Sequence, residues 1–386
     1  MNIPSLCLTR VRFARTFGLC LHLCLSLCLL SYSSSFASDF QLPLGLPSPL
    51  PIPDTNPLTP EKIALGRRLF FDRRLSPNNT MSCALCHVPT QGFTVNETRL
   101  AVGINGQTGK RNPPTLYNVA YQRLLFHDGR EFTLEDQIIS PLTNPIEMGN
   151  PSIGYVVDKV QRIPGYAEQF RVVFGEEVSV ATLGKALASY ERTLLSANSP
   201  FDRWYFTGEQ AAMSAEAKVG FTIFTGKGQC STCHTVSKEG SLFTNHGFHN
   251  TGVAQVKLIP EKRLDVDLGG GLIVQMPRAQ VDEILTPPNT DLGRYEITHD
   301  PTDLWRYKTP SLRNVALTAP YMHNGALLTL EDVIDYYDRG GTQAEGQDPR
   351  ISPLHLRQDE KEALLAFLHS LTGDNTGLLA KEAAVQ

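Results

Sequence analysis

The sequence predicts a mainly α-helical protein made of two tandem domains. Three observations carry this reading. Apolar residues recur at helical spacing, as Leu183, Leu187, Tyr190 and Leu194 do. Convincing runs of alternating apolar and polar residues are scarce. One arrangement also occurs twice: a helical stretch, a Cys-x-x-Cys-His pentapeptide, a long loop and a later helix. Leu65-Gly66-Arg67-Arg68-Leu69-Phe70 precedes Cys83-Ala84-Leu85-Cys86-His87 much as Val219-Gly220-Phe221-Thr222-Ile223-Phe224 precedes Cys230-Ser231-Thr232-Cys233-His234.

The elements follow in order. Arg10, Arg12 and Arg15 precede an apolar run at 17–30, and Ser35-Phe36-Ala37 offers small residues where a signal peptidase reads. Residues 1–37 therefore read as a secretory signal cut after Ala37. Cys7, Cys20, Cys24 and Cys28 leave with it. Leu27 stands before Cys28 where lipid attachment wants a small residue, which speaks against a lipoprotein; an uncleaved anchor is the alternative. Residues 38–58, which take in most of the Pro-rich stretch from Leu42 to Pro60, form an extended lead-in rather than core. Thr59-Pro60-Glu61 opens a helix through Phe70, with Thr59 as cap and Pro60 at the first position. Further helices are expected at 133–139, 152–162, 180–195, 214–224, 329–337 and 357–371. The helix at 329 starts Thr-Leu-Glu-Asp, a cap with an acid three residues on. A short hairpin element is expected at 272–276, and 374–386 is a tail. No later stretch is long and apolar enough to span a bilayer.

The pentapeptide is the attachment signal of c-type haem. Its two thiols form thioethers with the haem vinyl groups, and the adjacent imidazole reaches the iron. The two copies use every cysteine outside the leader, leaving none for disulfides. Zinc ribbons also pair Cys-x-x-Cys but need no histidine directly after both pairs. A redox Cys-x-x-Cys follows a strand in a βαβ unit, and neither pair does. The reading is two covalent haems, bound through Cys83, Cys86 and His87 and through Cys230, Cys233 and His234. The domains become two cytochrome-c-like units with one haem c each, at 59–205 and 206–373. Haem c is assembled outside the cytoplasm, which agrees with the leader and points to the periplasm. A net charge of −4 with histidine neutral gives no basic face for nucleic acid.

Further motifs extend the pattern: Arg111-Asn112-Pro113-Pro114-Thr115-Leu116-Tyr117-Asn118, Leu125-Phe126-His127-Asp128-Gly129-Arg130, Leu134-Glu135-Asp136-Gln137, Asn144-Pro145-Ile146-Glu147-Met148, Phe201-Asp202-Arg203-Trp204, Lys308-Thr309-Pro310-Ser311-Leu312-Arg313-Asn314 and Ala319-Pro320-Tyr321-Met322-His323-Asn324-Gly325. In order and spacing they resemble the bacterial di-haem cytochrome c peroxidases, which include the MauG-type enzymes. The resemblance runs from about Asn56 to Gly373.

The resemblance implies that the haem on His87 meets peroxide and the haem on His234 handles electrons. It places the catalytic acid on Glu147 and its supporting glutamine on Gln137. One carboxylate over the iron can take the peroxide proton and return it to the leaving oxygen. The alternative for Glu147 is a solvated loop acid. The resemblance also implies a structural calcium held by Asn112 and by the carbonyls of Thr318 and Pro320, an oxygen-only set that suits Ca²⁺.

Three positions depart from the family. Ile104 stands where many members carry a distal histidine ligand, which leaves the sixth position of the first haem open at rest. Tyr337 stands where classical members carry a methionine ligand to the second haem and MauG-type enzymes a tyrosine. Tyr336 is one register away, Met276 and Met322 are spare thioethers, and a buried core tyrosine is the plain alternative. His127 stands where the family has a tryptophan relay; it acts on protons, holds a haem propionate or simply packs. The loop histidines His246 and His249 are left out of the site, and Trp204 and Trp305 read as core or interface residues.

The expected function is a periplasmic cytochrome-c peroxidase that reduces hydrogen peroxide to water. Its electrons come from a small soluble donor, a cytochrome c or a cupredoxin. The alternatives are a MauG-like oxidase that modifies a partner protein, favoured by Tyr337, and a non-enzymatic di-haem electron carrier. A homodimer is left open.

Overall fold

The computed structural model describes residues 42–255, 263–267, 273–277 and 291–384. The expected leader at 1–37, the first residues of the lead-in, Leu272 and the last two residues of the expected tail lie outside the described residues. Residues Leu42–Gln386 make one compact unit, and it is mainly helical. No helix among the described residues is long and apolar enough to cross a membrane.

Two helix pairs anchor the unit. Pro60–Phe71 starts at Thr59, whose hydroxyl accepts the Lys62 N–H at 3.3 Å. It packs on Val180–Glu191. Ala215–Thr225, capped by Ser214, packs in the same way on Gln358–His369. Both crossings need a glycine, because the partner backbone lies where a side chain would start. A Cβ on Gly66 would sit 1.8 Å from the Ala186 carbonyl oxygen, and one on Gly220 would sit 1.9 Å from that of Ala363. Each pair supports its own apolar cluster. Leu69, Phe70, Phe93, Leu183 and Leu187 belong to the first, and Phe201, Phe224, Phe243 and Phe367 to the second. Trp204 packs against the second cluster.

The differences from expectation have physical causes. The helix expected at 133–139 is two pieces, Leu134–Gln137 and Ile139–Thr143. Pro141 has no N–H to return to the Gln137 carbonyl. The helix expected to reach 195 stops at Glu191. Asn118 takes the chain beyond it: its N–H donates to Leu194 O at 2.8 Å, and its side chain bonds both backbone groups of Ser196 at 2.8 and 2.9 Å. Helices Tyr166–Phe174 and Pro200–Thr207 were not expected. The second carried a readable signal, since Ser199 and Asp202 form a capping box. The segment expected as a tail contains helix Thr376–Ala384. Its Ala383 is buried in the first cluster, and the Arg67 guanidinium donates to the carbonyls of Glu382 and Ala383. The lead-in is tied down rather than loose. Leu46, Leu50 and Asn56 are buried, and Gly45 O accepts the Arg313 guanidinium at 2.7 Å. The hairpin pairs Arg263–Asp267 with Ile273–Pro277.

A second repeat becomes visible once the backbone is known. Residues 111–141 and 307–337 match at a constant offset. Asn118 and Asn314 both take left-handed φ values, 59° and 60°, and each opens a short 3-10 turn. The bridges Leu125↔Glu131 and Tyr321↔Leu327 are equivalent, and Thr133 and Thr329 cap equivalent helices. The two copies join by reciprocal bonds between equivalent residues: Asn112 N–H donates to His323 O and Lys308 N–H to His127 O, both at 2.7 Å.

Candidate functional site

Each pentapeptide is shaped as a ligand. His87 N–H donates to Cys83 O and His234 N–H to Cys230 O, both at 2.9 Å, so each histidine closes a turn on the first cysteine of its pentapeptide. His87 Nδ1 lies 3.0 Å from Phe93 O, and His234 Nδ1 lies 2.9 Å from Phe243 O. The carbonyl makes Nδ1 the donor and leaves the Nε2 lone pair for a metal. Burial holds both rings neutral, His87 below its ordinary range and His234 down to about 4. The four cysteines form no disulfide. All six residues line one cavity of about 850 Å³. Free thiols beside neutral imidazoles on one cavity fit covalent haem.

Glu147 and Gln137 line the same cavity. Gln137 ends helix Leu134–Gln137, whose start is set by Thr133. Asn144 Nδ2 donates to Glu147 Oε1 at 2.8 Å, and Ile104 N–H donates to Glu147 O at 2.8 Å. Burial raises the Glu147 carboxyl above its ordinary value; the field of Arg130 and the Asn144 bond oppose it only in part. Ile104 itself is buried in the first apolar cluster.

His127 is tied down. Its Nε2 lies 2.8 Å from Asn112 O, and burial drives the ring to about 4, so it is neutral. Its equivalent in the second copy, His323, was missed as a site residue. It lines the cavity, stacks on Tyr307 with ring centroids 3.6 Å apart, and leaves Nε2 without a partner. The repeat of Phe-His-Asp-Gly as Met-His-Asn-Gly was the signal for it. Arg111 holds the region from the first copy through Asp128 at 2.5 Å and Asp291 at 2.7 Å.

Around the second pentapeptide, Tyr337 faces the cavity from helix Leu330–Asp338. Burial raises its phenol, with further repulsion from Tyr336, Cys230 and Cys233. Tyr336 is fully buried and donates to Thr251 O at 2.5 Å, so the register favours Tyr337 as the residue at the cavity. Met322 lines the cavity; Met276 pairs with Leu264 in the hairpin and is not among the lining residues. His249, left out on sequence grounds, also lines the cavity, with Nδ1 2.9 Å from Asp348 Oδ2 and Arg350 at 2.6 Å from the same carboxylate. Its loop position carried no signal. His246 lies elsewhere, in a smaller cleft with Arg123.

Asn112, Thr318 and Pro320 line the cavity together. The Asn112 amide nitrogen donates to Arg99 O at 2.8 Å, so the amide presents Oδ1 as its oxygen donor atom. That oxygen and two carbonyl-bearing neighbours are a donor set that fits Ca²⁺. Among the described residues, no cluster of three or more His, Cys, Asp or Glu side chains is arranged to hold a metal ion.

Residues 60–211 match the model of the di-haem cytochrome c peroxidase family. Methylamine utilization protein MauG of Methylorubrum extorquens is 38% identical over 321 residues, covering 83% of this chain and 80% of that one. Cytochrome-c peroxidase IdrP1 of Denitromonas iodatirespirans is 35% identical, covering 82% and 83%. The crystal structure of a MauG-like protein associated with microbial copper homeostasis superposes with a TM-score of 0.71 at 31% identity, covering 88% of this chain and 96% of that one. With its paired haem-attachment motifs on one cavity, the chain belongs to the di-haem cytochrome c peroxidase family.

Proposed function

We propose that the chain is an exported periplasmic peroxidase that reduces hydrogen peroxide to water with electrons from a small soluble carrier, a cytochrome c or a cupredoxin. The observation that carries this reading is Glu147: a half-buried carboxyl with a raised pKa on the wall of the cavity that also takes the His87 pentapeptide. In this reading residues 59–205 hold one covalent haem c, where peroxide reacts, and residues 206–373 hold the other, which passes electrons. The bound haem supplies the iron that accepts the oxidising equivalents of peroxide. The protein supplies the proton path. Asn144 fixes Glu147 Oε1, so Oε2 is the oxygen that takes the peroxide proton and hands it to the departing water. Gln137 orients the peroxide by hydrogen bonding. Ile104 carries no atom that could bind iron, so it would not compete with peroxide for a bound haem. His127, neutral and tied to Asn112 O, orders the junction between the copies rather than carrying protons. Asn112, Thr318 and Pro320 would hold a calcium ion at that junction and stiffen it.

Tyr337 supports a second reading. A phenolate on the second iron lowers its potential, which favours holding oxidising equivalents over admitting electrons. The chain would then act as a MauG-like oxidase on a partner protein. Steady-state assays with hydrogen peroxide and a reduced cytochrome c separate the two. Fast peroxide-dependent oxidation of the cytochrome is the expected result. Slow cytochrome oxidation beside efficient oxidation of a partner's side chain would transfer the assignment to the second reading. Electron exchange without either reaction would leave a di-haem carrier.

A further inference from the structure

The first haem compartment contains a second carboxyl that the proton path above does not use. Glu191 is the last residue of helix Val180–Glu191 and only 5% exposed. It lines the cavity with Leu187 and Cys83, and its Oε2 has no hydrogen-bond partner. The adjacent cation is already engaged. Arg192 holds Glu135 through two parallel bonds of 2.7 and 2.8 Å. The ionisable groups around Glu191 are Arg192 and Tyr190 on its own helix, Glu135 from helix Leu134–Gln137 and Cys83 from the pentapeptide; Arg67 and Glu382 reach Tyr190 from the first and last helices. None of them is a free cation for Glu191. Burial, with repulsion from Glu135, outweighs the pull of Arg192 and pushes the carboxyl up to about 8. Glu147 acts on Cys86 and Glu191 on Cys83, so the two acids address the pentapeptide at different cysteines.

We propose that Glu191 is a second proton-exchanging group of the first haem compartment, holding a proton while the iron is ferrous and releasing it when the iron becomes ferric. Oxidation leaves one more positive charge beside a buried acid that lacks a counterion, and the carboxylate compensates it. In a titration one electron leaves the iron for ferricyanide, and one proton leaves Glu191 for water. Reduction reverses both. The compartment's net charge is then the same in both states, which lowers the electrostatic cost of electron transfer in a medium of low dielectric. The inference rests on a covalent haem at Cys83 and Cys86, and is independent of whether the oxidising equivalents go to water or to a partner protein.

The test is an optical redox titration of the first haem in the holoprotein between about pH 6 and about pH 9, the range that brackets a carboxyl so shifted. The ferric/ferrous equilibrium should move toward ferric as pH rises, by up to tenfold per pH unit, or about 59 mV. Glu191→Gln should abolish this dependence and hold the potential near its low-pH value, while Glu147→Gln should keep the dependence. A flat wild-type profile, or the same slope in Glu191→Gln, would overturn the proposal. If the Gln variant fails to take up haem, redox-difference infrared spectra of the wild type decide instead: a protonated-carboxyl band lost on oxidation is expected, and its absence overturns the proposal. A protein lacking the first haem's absorption altogether would refute the haem assignment rather than this role for Glu191.

Discussion

The two copies of the repeated segment share a backbone and divide the chemistry. In the copy at 111–141 the cavity wall carries Gln137; in the copy at 307–337 the equivalent wall carries Val333, and Tyr337 occupies the position of Pro141. Glu135 is partly buried and paired with Arg192, whereas its equivalent Glu331 is exposed. His127 donates to Asn112 O, whereas Nε2 of its equivalent, His323, finds no partner. The reciprocal bonds hold the two copies together, and each left-handed asparagine ties its own copy to a segment that follows a long helix, Asn118 to Leu194 and Ser196 and Asn314 to Leu371 and Gly373. The side chains facing the cavity are free to differ, and there one copy presents the Gln137 amide and the other the Tyr337 phenol. A duplicated frame with unlike linings lets one chain treat two identical cofactors differently.

The first haem's side can be broken first at Glu147, which follows the first copy by six residues. Glu147→Gln keeps the volume and loses the proton, so haem content should persist while peroxide turnover falls by about 10²-fold or more. Because burial raises this carboxyl, kcat/KM should fall with decreasing pH at a value above that of an ordinary glutamate, and the variant should lack that limb. Unchanged turnover with intact haem would remove Glu147 from the chemistry.

A smaller effect is expected at the phenol. Tyr337→Phe should convert the second haem to a high-spin form and raise its potential, with the first haem's spectrum unaltered. If the second haem's spectrum and potential stay as they were, Tyr337 is only a wall residue, and Met322 becomes the next residue to replace.

The smallest effect tests the shared frame. Asn118→Ala would leave the N–H and carbonyl of Ser196 unpaired and force alanine into a left-handed conformation, a cost of about 2–4 kcal/mol. Asn314 bonds Gly373 N–H and the Ser196 hydroxyl through Oδ1, but its own Nδ2 is buried without a partner. Asn314→Ala should therefore cost less, by about 1 kcal/mol. Denaturant midpoints of the two holoprotein variants give the comparison directly; equal losses would mean that the strain of the turn, and not the bonds, dominates.

The features legible in the sequence are those made by neighbours in the chain. The paired thiols and imidazole of each pentapeptide, the capping residues Thr59 and Thr329, and the helix starts at Ser152 and Ser214 all belong to motifs a few residues long. The family resemblance added Glu147 and Gln137, and both line the cavity. Tertiary structure decided the rest, because it depends on what distant segments bring. Asn118 ends a helix far along the chain, helix Thr376–Ala384 exists on the side of the first cluster, and Tyr336 and Tyr337 are told apart only by which of them the Thr251 carbonyl receives. His249 and Glu191 look like a solvated loop residue and an ordinary helical acid in one dimension. Their place on the cavity wall, and the raised pKa of Glu191, come from burial and from an arginine already bound elsewhere, and neither is written in local sequence.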